Sequence, residues 1–114
     1  MTEYDVELFL KDFKVNMQLM DIVFLNDRAK NTKTLAILEI PVTKQKQIIE
    51  ELEIKDYSEG SIEDTNFVGS PLWVFGKIIK GYELYIKISM GLPNRNTLCI
   101  SFHMAEFPIN YPLK

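Results

Sequence analysis

Three consecutive segments in the C-terminal half of the chain have the pattern of β-strands separated by turns. Residues 72–80 are aromatic and β-branched, and residues 82–90 and 97–103 alternate between apolar and polar side chains. Gly81 marks the first turn, and the glycine, proline and asparagines of residues 91–96 mark the second. Because side chains two residues apart on a strand share a face, this pattern predicts an antiparallel meander with one apolar face.

The N-terminal segment has the spacing of an amphipathic helix. Apolar side chains recur three and four residues apart over residues 3–20, with polar residues between them. Thr2 and Asp5 stand where a helix cap would take up backbone N–H groups that lack an intrahelical partner. The apolar residues 22–25 then predict a short buried strand, and the polar residues 26–31 predict a loop.

Two shorter helices and a long loop are expected before the strands. Residues 34–38 can form a short helix that Pro41 stops, and Thr43 can cap a second helix over residues 43–53. Residues 55–71 are polar and contain two glycines and a proline, so we expect a loop there. A loop of this length is uncommon and often functional.

These elements predict one α+β domain over residues 1–114, with N-terminal helices packed on a C-terminal antiparallel sheet. A content of 46% hydrophobic and 25% charged residues excludes a disordered chain. The apolar runs are far shorter than the roughly 20 residues of a membrane helix, and the acidic N-terminus does not have the pattern of a secretory signal. We therefore expect a cytoplasmic protein with no membrane association. The lone Cys99 predicts a buried structural thiol, and the aromatic, proline-containing residues 106–114 should pack back on the domain.

Charge is distributed unevenly along the chain. The net charge of −3 argues against nucleic acid as a partner when it is taken alone. However, residues 1–66 carry 14 acidic and 8 basic side chains, whereas residues 67–114 carry 2 acidic and 5 basic ones. The strand-rich half could therefore hold RNA while the acidic half binds a regulator. The alternative explanation of the uneven charge is chance, together with the charged residues that solvent-exposed helix faces normally carry.

The alternation also assigns side chains to the two faces of the predicted sheet. The core face should be formed by Leu84, Ile86, Ile88, Leu98, Ile100 and Phe102, and the opposite face by Tyr85, Lys87, Ser89, Cys99, Ser101 and His103. If Ile88 lies opposite Ile100, then Tyr85 lies opposite His103 and Lys87 opposite Ser101. This register brings a phenol, an ammonium group and an imidazole together on one surface.

The two alternating strands carry a family resemblance. The string Leu-Tyr-Ile-Lys-Ile of residues 84–88, followed by a hairpin and Leu-Cys-Ile-Ser-Phe at residues 98–102, resembles the C-terminal signature of MqsR toxins of bacterial toxin–antitoxin pairs. In that signature a Tyr-Leu-Lys-Ile strand precedes an apolar strand that ends in Ser-Phe-Lys. The Lys-Asp-Tyr of residues 55–57 and the position of Trp73 are also similar. The resemblance covers residues 33–103.

The resemblance implies a RelE-like α+β fold, metal-independent endonuclease activity on mRNA and neutralisation by a cognate antitoxin. It places Tyr85 and Lys87 on motif positions and His103 where the family has a functional lysine. Two positions depart from the family pattern. Ser58 and Glu59 stand where a lysine is usual, and Val74 replaces the glutamine that usually follows the tryptophan.

Metal-free RNA cleavage needs a base for the 2′-hydroxyl proton, an acid for the leaving oxygen and positive charge at the phosphate. His103 can take up or release a proton near neutral pH, Lys87 can hold the phosphate and Tyr85 can position it. The remaining RNA-binding candidates are Lys77, Lys80 and Arg95 for the backbone and Tyr57 or Trp73 for stacking on a base; for Trp73 a core position is favoured over stacking. The sequence contains no glycine-rich phosphate loop or metal-ligand spacing, so we expect no cofactor and no metal.

The first hypothesis is therefore an mRNA endonuclease toxin, acting through His103, Lys87 and Tyr85. The alternative is a catalytically silent binding module of the same fold, such as an inhibitor carried on a mobile element, which the two departures and the acidic composition favour. A regulator that binds nucleic acid without cutting it ranks lower, because no recognition helix or basic stripe is visible.

Overall fold

The computed structural model describes residues 1–63 and 70–114. Over these residues the chain forms α1 (Glu3–Met20), α2 (Ala29–Ile37), α3 (Val42–Glu50), a 3₁₀ turn (Ile54–Asp56) and five strands, β1 (Ile22–Phe24), β2 (Tyr57–Ile62), β3 (Leu72–Ile79), β4 (Tyr82–Ser89) and β5 (Thr97–Met104). The strands form one sheet in the order β1-β5-β4-β3-β2, in which β1 is parallel to β5 and the other pairs are antiparallel. The predicted α+β fold, with helices packed on a mostly antiparallel sheet, is confirmed.

Helix α1 occupies the residues that its periodicity predicted. The Thr2 hydroxyl accepts a hydrogen bond from the Asp5 N–H, and the Asp5 carboxylate accepts one from the Thr2 N–H, which satisfies two backbone donors at the helix start. The Phe9 ring stacks on Trp73 with 4.3 Å between ring centroids. The buried side chains of this helix pack against the sheet and are Val6, Phe9, Leu10, Phe13 and Met17.

The three predicted C-terminal strands are confirmed as β3, β4 and β5. Lys80 and Gly81 connect β3 to β4 with φ angles of 53° and 83°. Two central residues with positive φ are what a two-residue hairpin turn requires, because that turn matches the twist of the flanking strands.

The register between β4 and β5 changes at a β-bulge. Ile88 pairs with Cys99 and not, as predicted, with Ile100. Because a bulge adds one residue to one strand, the alternation is reversed beyond it: Cys99 joins the apolar core, whereas Leu98 pairs with Ser89 and lies outside that cluster. The predicted faces of Leu98 and Cys99 were therefore wrong, although the predicted burial of the thiol is confirmed.

Three other predicted elements differ from the observed ones. Helix α2 begins at Ala29, within the expected loop, and α3 begins at Val42 with Pro41 as its N-cap instead of Thr43. The expected loop of residues 55–71 contains the end of the 3₁₀ turn and β2, and residues 64–69 of it lie outside the described part. Strand β2 was missed because its sequence Tyr-Ser-Glu-Gly-Ser-Ile is polar and has a low β propensity. The strand is stabilised instead by its pairing with β3 at the sheet edge.

Helix α2 lies along β5 and bonds to its backbone beyond the end of β1. The Asn31 side chain, 2% exposed, donates to the Ile100 carbonyl at 3.0 Å and accepts from the Phe102 N–H at 3.0 Å. The Thr34 hydroxyl accepts from the Met104 N–H at 3.0 Å. Polar side chains thus replace a neighbouring strand and satisfy an edge that would otherwise stay unpaired.

The C-terminal segment packs back on the sheet, as predicted. Glu83 on β4 accepts hydrogen bonds from the Ile109 N–H at 2.9 Å and the Tyr111 hydroxyl at 2.8 Å, and its carbonyl accepts from the Ala105 N–H at 2.8 Å. The Tyr111 hydroxyl also packs so closely on Gly76 that a Cβ at this position would clash with it. Residues 105–111, called the strap below, therefore cross the face of the sheet opposite α1, called the outer face.

Candidate functional site

A groove of about 760 Å³ lies on the outer face of the sheet. Its floor is formed by outer-face side chains of β4 and β5, one wall by the start of α2, and the other walls by β2 and the strap. The volume is in the range of small-molecule and cofactor sites. The groove is the place where side chains of α2, β2, β4, β5 and the strap meet.

The groove floor contains the predicted pair of Tyr85 and His103. These residues are directly opposite each other on β4 and β5, and their rings stack with 5.3 Å between centroids and 18° between planes. Lys87 and Ser101 form the next row and also line the groove. The predicted placement of Tyr85, Lys87 and His103 on one surface is confirmed, because these pairs lie on the unshifted side of the bulge.

The His103 imidazole is oriented by the backbone carbonyl of the next residue, Met104. Its Nδ1 lies 3.0 Å from the Met104 carbonyl oxygen. Since a carbonyl can only accept, a hydrogen bond here places the proton on Nδ1 and leaves the lone pair on Nε2. A neutral His103 therefore offers Nε2 as a proton acceptor.

Tyr85 is held in its protonated form. Burial raises the pKa of its phenol, and the nearby Glu59 carboxylate raises it further. Because the neutral phenol carries the O–H, Tyr85 is a hydrogen-bond donor across the physiological range. The two stacked rings thus offer an acceptor on one residue and a donor on the other.

The start of α2 adds two cations that the sequence did not assign to the site. Arg28 and Lys30 line the groove; one Arg28 nitrogen donates to the Ile100 carbonyl at 3.2 Å, and Lys30 forms an ion pair with Glu106 on the strap. The hydrogen bond from Lys30 lowers the pKa of Glu106. The groove is lined by three Lys or Arg side chains and two carboxylates, so it carries a positive balance in a chain whose net charge is −3.

Two of the three residues that depart from the MqsR pattern line this groove. Ser58 and Glu59 line the groove from β2. Val74 is buried on β3, where it pairs with Glu59 of β2 on one side and with Lys87 of β4 on the other. A carboxylate thus occupies the wall where the resembled family has a lysine.

The two predicted stacking residues lie in the core. Tyr57 is 5% and Trp73 9% exposed. The Tyr57 hydroxyl donates to the Gly60 carbonyl at 2.5 Å, and its ring packs edge-on against Trp73 and Phe75. Because apolar neighbours cover both rings, neither presents a face to a ligand base.

The remaining predicted backbone contacts lie away from the groove. Lys77 pairs with Leu84 in the ladder, on the core side of the sheet, and its ammonium contacts Asp56 at 2.9 Å. Lys80 donates to the Leu38 carbonyl at 2.6 Å. Arg95 is exposed in the loop before β5, whereas His103 lies near the end of that strand. The structure therefore does not bring these three cations together with Tyr85, Lys87 and His103.

Together the fold and the groove define a small α+β protein with a basic groove built around a stacked Tyr-His pair. No family model, curated protein or solved structure matches the chain. No helix of residues 1–63 and 70–114 is long and apolar enough to cross a membrane. Within the same ranges, no three His, Cys, Asp or Glu side chains are grouped so that they could hold a metal ion.

Proposed function

We propose that this protein is an endoribonuclease that cuts mRNA by metal-independent acid–base catalysis in the groove. The observation that carries the proposal is the orientation of His103, whose Nδ1 contact with the Met104 carbonyl directs the lone pair of the neutral ring to Nε2. His103 lines the same groove as Tyr85 and Lys87. A base, a donor and a cation are what transfer of an RNA phosphodiester to its own 2′-oxygen requires.

Each residue has a defined role in this reaction. His103 Nε2 takes the proton of the ribose 2′-hydroxyl, and the 2′-oxygen attacks the adjacent phosphorus. The bond to the 5′-oxygen of the next nucleotide breaks, and that oxygen is protonated by Tyr85 or by a water that Tyr85 positions. Lys87 and Arg28 stabilise the negative charge that accumulates on the phosphate. The products are a 2′,3′-cyclic phosphate and a 5′-hydroxyl end.

The resemblance to MqsR toxins extends the proposal to partner and location. A ribonuclease that acts on mRNA must be restrained in the cell that makes it, and a cognate antitoxin that binds this cytoplasmic protein would provide the restraint. Helix α1, in the acidic N-terminal half, contributes no residue to the groove and offers a surface for such a partner.

The test is cleavage of a defined mRNA in EDTA, with products mapped at nucleotide resolution. We expect discrete cuts from the wild-type chain and a rate about 10²- to 10⁴-fold lower for His103→Ala, which is the contribution typical of a general base. Lys44→Ala is the matched control, because this exposed residue on α3 lies outside the groove; its rate should equal that of the wild type. Circular dichroism of all three proteins establishes that they are folded.

A second candidate function is a catalytically silent binding module. It is favoured by Glu59, which places a carboxylate in the groove wall where the resembled family has a lysine. Intact RNA after incubation with folded wild-type protein, with and without ribosomes, would exclude the nuclease and leave this alternative.

A further inference from the structure

The Phe107 side chain stands in solvent at the edge of the groove. It is 80% exposed, although phenylalanine is normally among the residues that folding buries. It lies among the groove-lining residues together with Arg28, Lys30 and His103. The exposed residue therefore lines the same groove as the cations and the proposed catalytic base.

The strap holds the backbone of Phe107 from both sides. On the N-terminal side, Glu106 forms an ion pair with Lys30, and the Ala105 N–H bonds to the Glu83 carbonyl. On the C-terminal side, Pro108 restricts the backbone, and the Ile109 N–H bonds to the Glu83 carboxylate at 2.9 Å. A ring presented on an anchored segment binds a ligand with less loss of conformational entropy than a ring on a mobile tail.

We propose that Phe107 is the stacking platform for one unpaired base of an RNA strand whose phosphate lies at Arg28 and Lys87. The inference rests on the proposed function, because it takes RNA as the occupant of the groove. A flat aromatic face beside a cluster of cations matches the two parts of a nucleotide, a flat base and an anionic phosphate. Burial of Tyr57 and Trp73 removes the other two rings that the sequence offered for stacking.

This arrangement distinguishes single-stranded from paired RNA. In a duplex each base already stacks on its neighbours and pairs with the opposite strand, so it has no face to offer to Phe107. A single strand can turn one base out onto the ring while its backbone follows the cations. The ligand is therefore a flexible segment of RNA with at least one unstacked base.

The experiment measures binding of a fluorescein-labelled, unstructured RNA of twelve nucleotides by fluorescence anisotropy. All riboses carry 2′-O-methyl groups, so the RNA cannot supply the attacking hydroxyl and the wild-type protein can be used. We expect Phe107→Ala to weaken binding about 5- to 150-fold, the ratio that corresponds to a stacking interaction, and Phe107→Trp to bind at least as tightly as the wild type.

Tyr82→Ala is the matched control, because Tyr82 is also an exposed aromatic residue but lies outside the groove. The affinity of this variant should remain within about twofold of the wild-type affinity, as for a surface change away from the ligand. The same RNA annealed to its complement should bind more weakly and should not respond to Phe107→Ala.

Two results would overturn the inference: equal affinities of wild type and Phe107→Ala for the single strand, or a duplex that binds as tightly as the single strand. Because Phe107 is exposed, its replacement does not disturb the core. The proposed function is tested separately by cleavage of unmodified RNA. Cleavage that depends on His103 with binding that ignores Phe107 refutes only the stacking role, whereas Phe107-dependent binding with no cleavage refutes only the nuclease.

Discussion

Replacement of Asn31 by alanine tests how α2 is attached to the sheet. The Asn31 side chain makes three hydrogen bonds of 3.0 Å, to the Leu25 and Ile100 carbonyls and from the Phe102 N–H. In Asn31→Ala both carbonyls keep a partner in Arg28, whose backbone N–H and side chain bond to Leu25 and Ile100. The Phe102 N–H loses its side-chain acceptor, the Asn31 amide oxygen. A buried donor without a partner costs about 1–3 kcal/mol, and the two other lost bonds about 0.5–1.5 kcal/mol each.

The expected decrease in the free energy of unfolding is therefore about 2–6 kcal/mol, a large part of the roughly 5–15 kcal/mol typical of a domain. Urea unfolding followed by circular dichroism measures it as a lower midpoint with an unchanged m-value. Lys33→Ala, an exposed change on the same helix, should alter the unfolding free energy by less than about 0.5 kcal/mol. A decrease below about 1 kcal/mol for Asn31→Ala would show that water or a shifted helix replaces these bonds.

Three further predictions concern the strap and the thiol. Gly76→Ala should displace Tyr111, because the new Cβ would clash with its hydroxyl. Limited proteolysis should then cut within the strap, and an unchanged digestion pattern would contradict the packing. Burial raises the pKa of the Cys99 thiol, so iodoacetamide should label it only in denaturant, and labelling at equal rates in native buffer would refute its burial. The hydrogen bond from Lys30 lowers the pKa of Glu106. The ion pair therefore contributes to folding stability above the Glu106 pKa of the unfolded state, and this contribution is lost as pH falls through the Glu106 pKa of the folded state. An NMR titration should give a higher Glu106 pKa in Lys30→Ala than in the wild type, and equal values would exclude the ion pair.

The central part of the candidate site could be derived from the sequence because it depends on one strand pair. Alternation places Tyr85 and Lys87 on one face of β4 and Ser101 and His103 on one face of β5, and the short connection makes the two strands neighbours. Because paired residues share a face of the sheet, this alternation decides which side chains of the two strands lie opposite each other. The bulge at Ile88 lies beyond these pairs, so it affected the prediction for Cys99 and Leu98 without separating Tyr85 from His103.

The walls of the site could not be derived in this way. Arg28, Glu59 and Phe107 reach the groove from three segments far apart along the chain, and nothing in their local spacing indicates that α2, β2 and the strap converge. The same limitation explains the RNA-binding candidates. A lysine such as Lys77 has the same local pattern whether it contacts a phosphate or, as here, bonds to Asp56.

The sequence alone determined helix α1, strands β3–β5 and the placement of Tyr85 opposite His103, because each follows from a short-range period or from the pairing of adjacent strands. Tertiary structure decided whether polar residues were surface or internal. Asn31, in a stretch predicted as a loop, is buried and bonds to the edge of β5, and Lys77, predicted to contact an RNA backbone, bonds to Asp56. The physical reason is that burial and hydrogen-bond satisfaction depend on which distant segments pack together, and a local pattern does not contain that information.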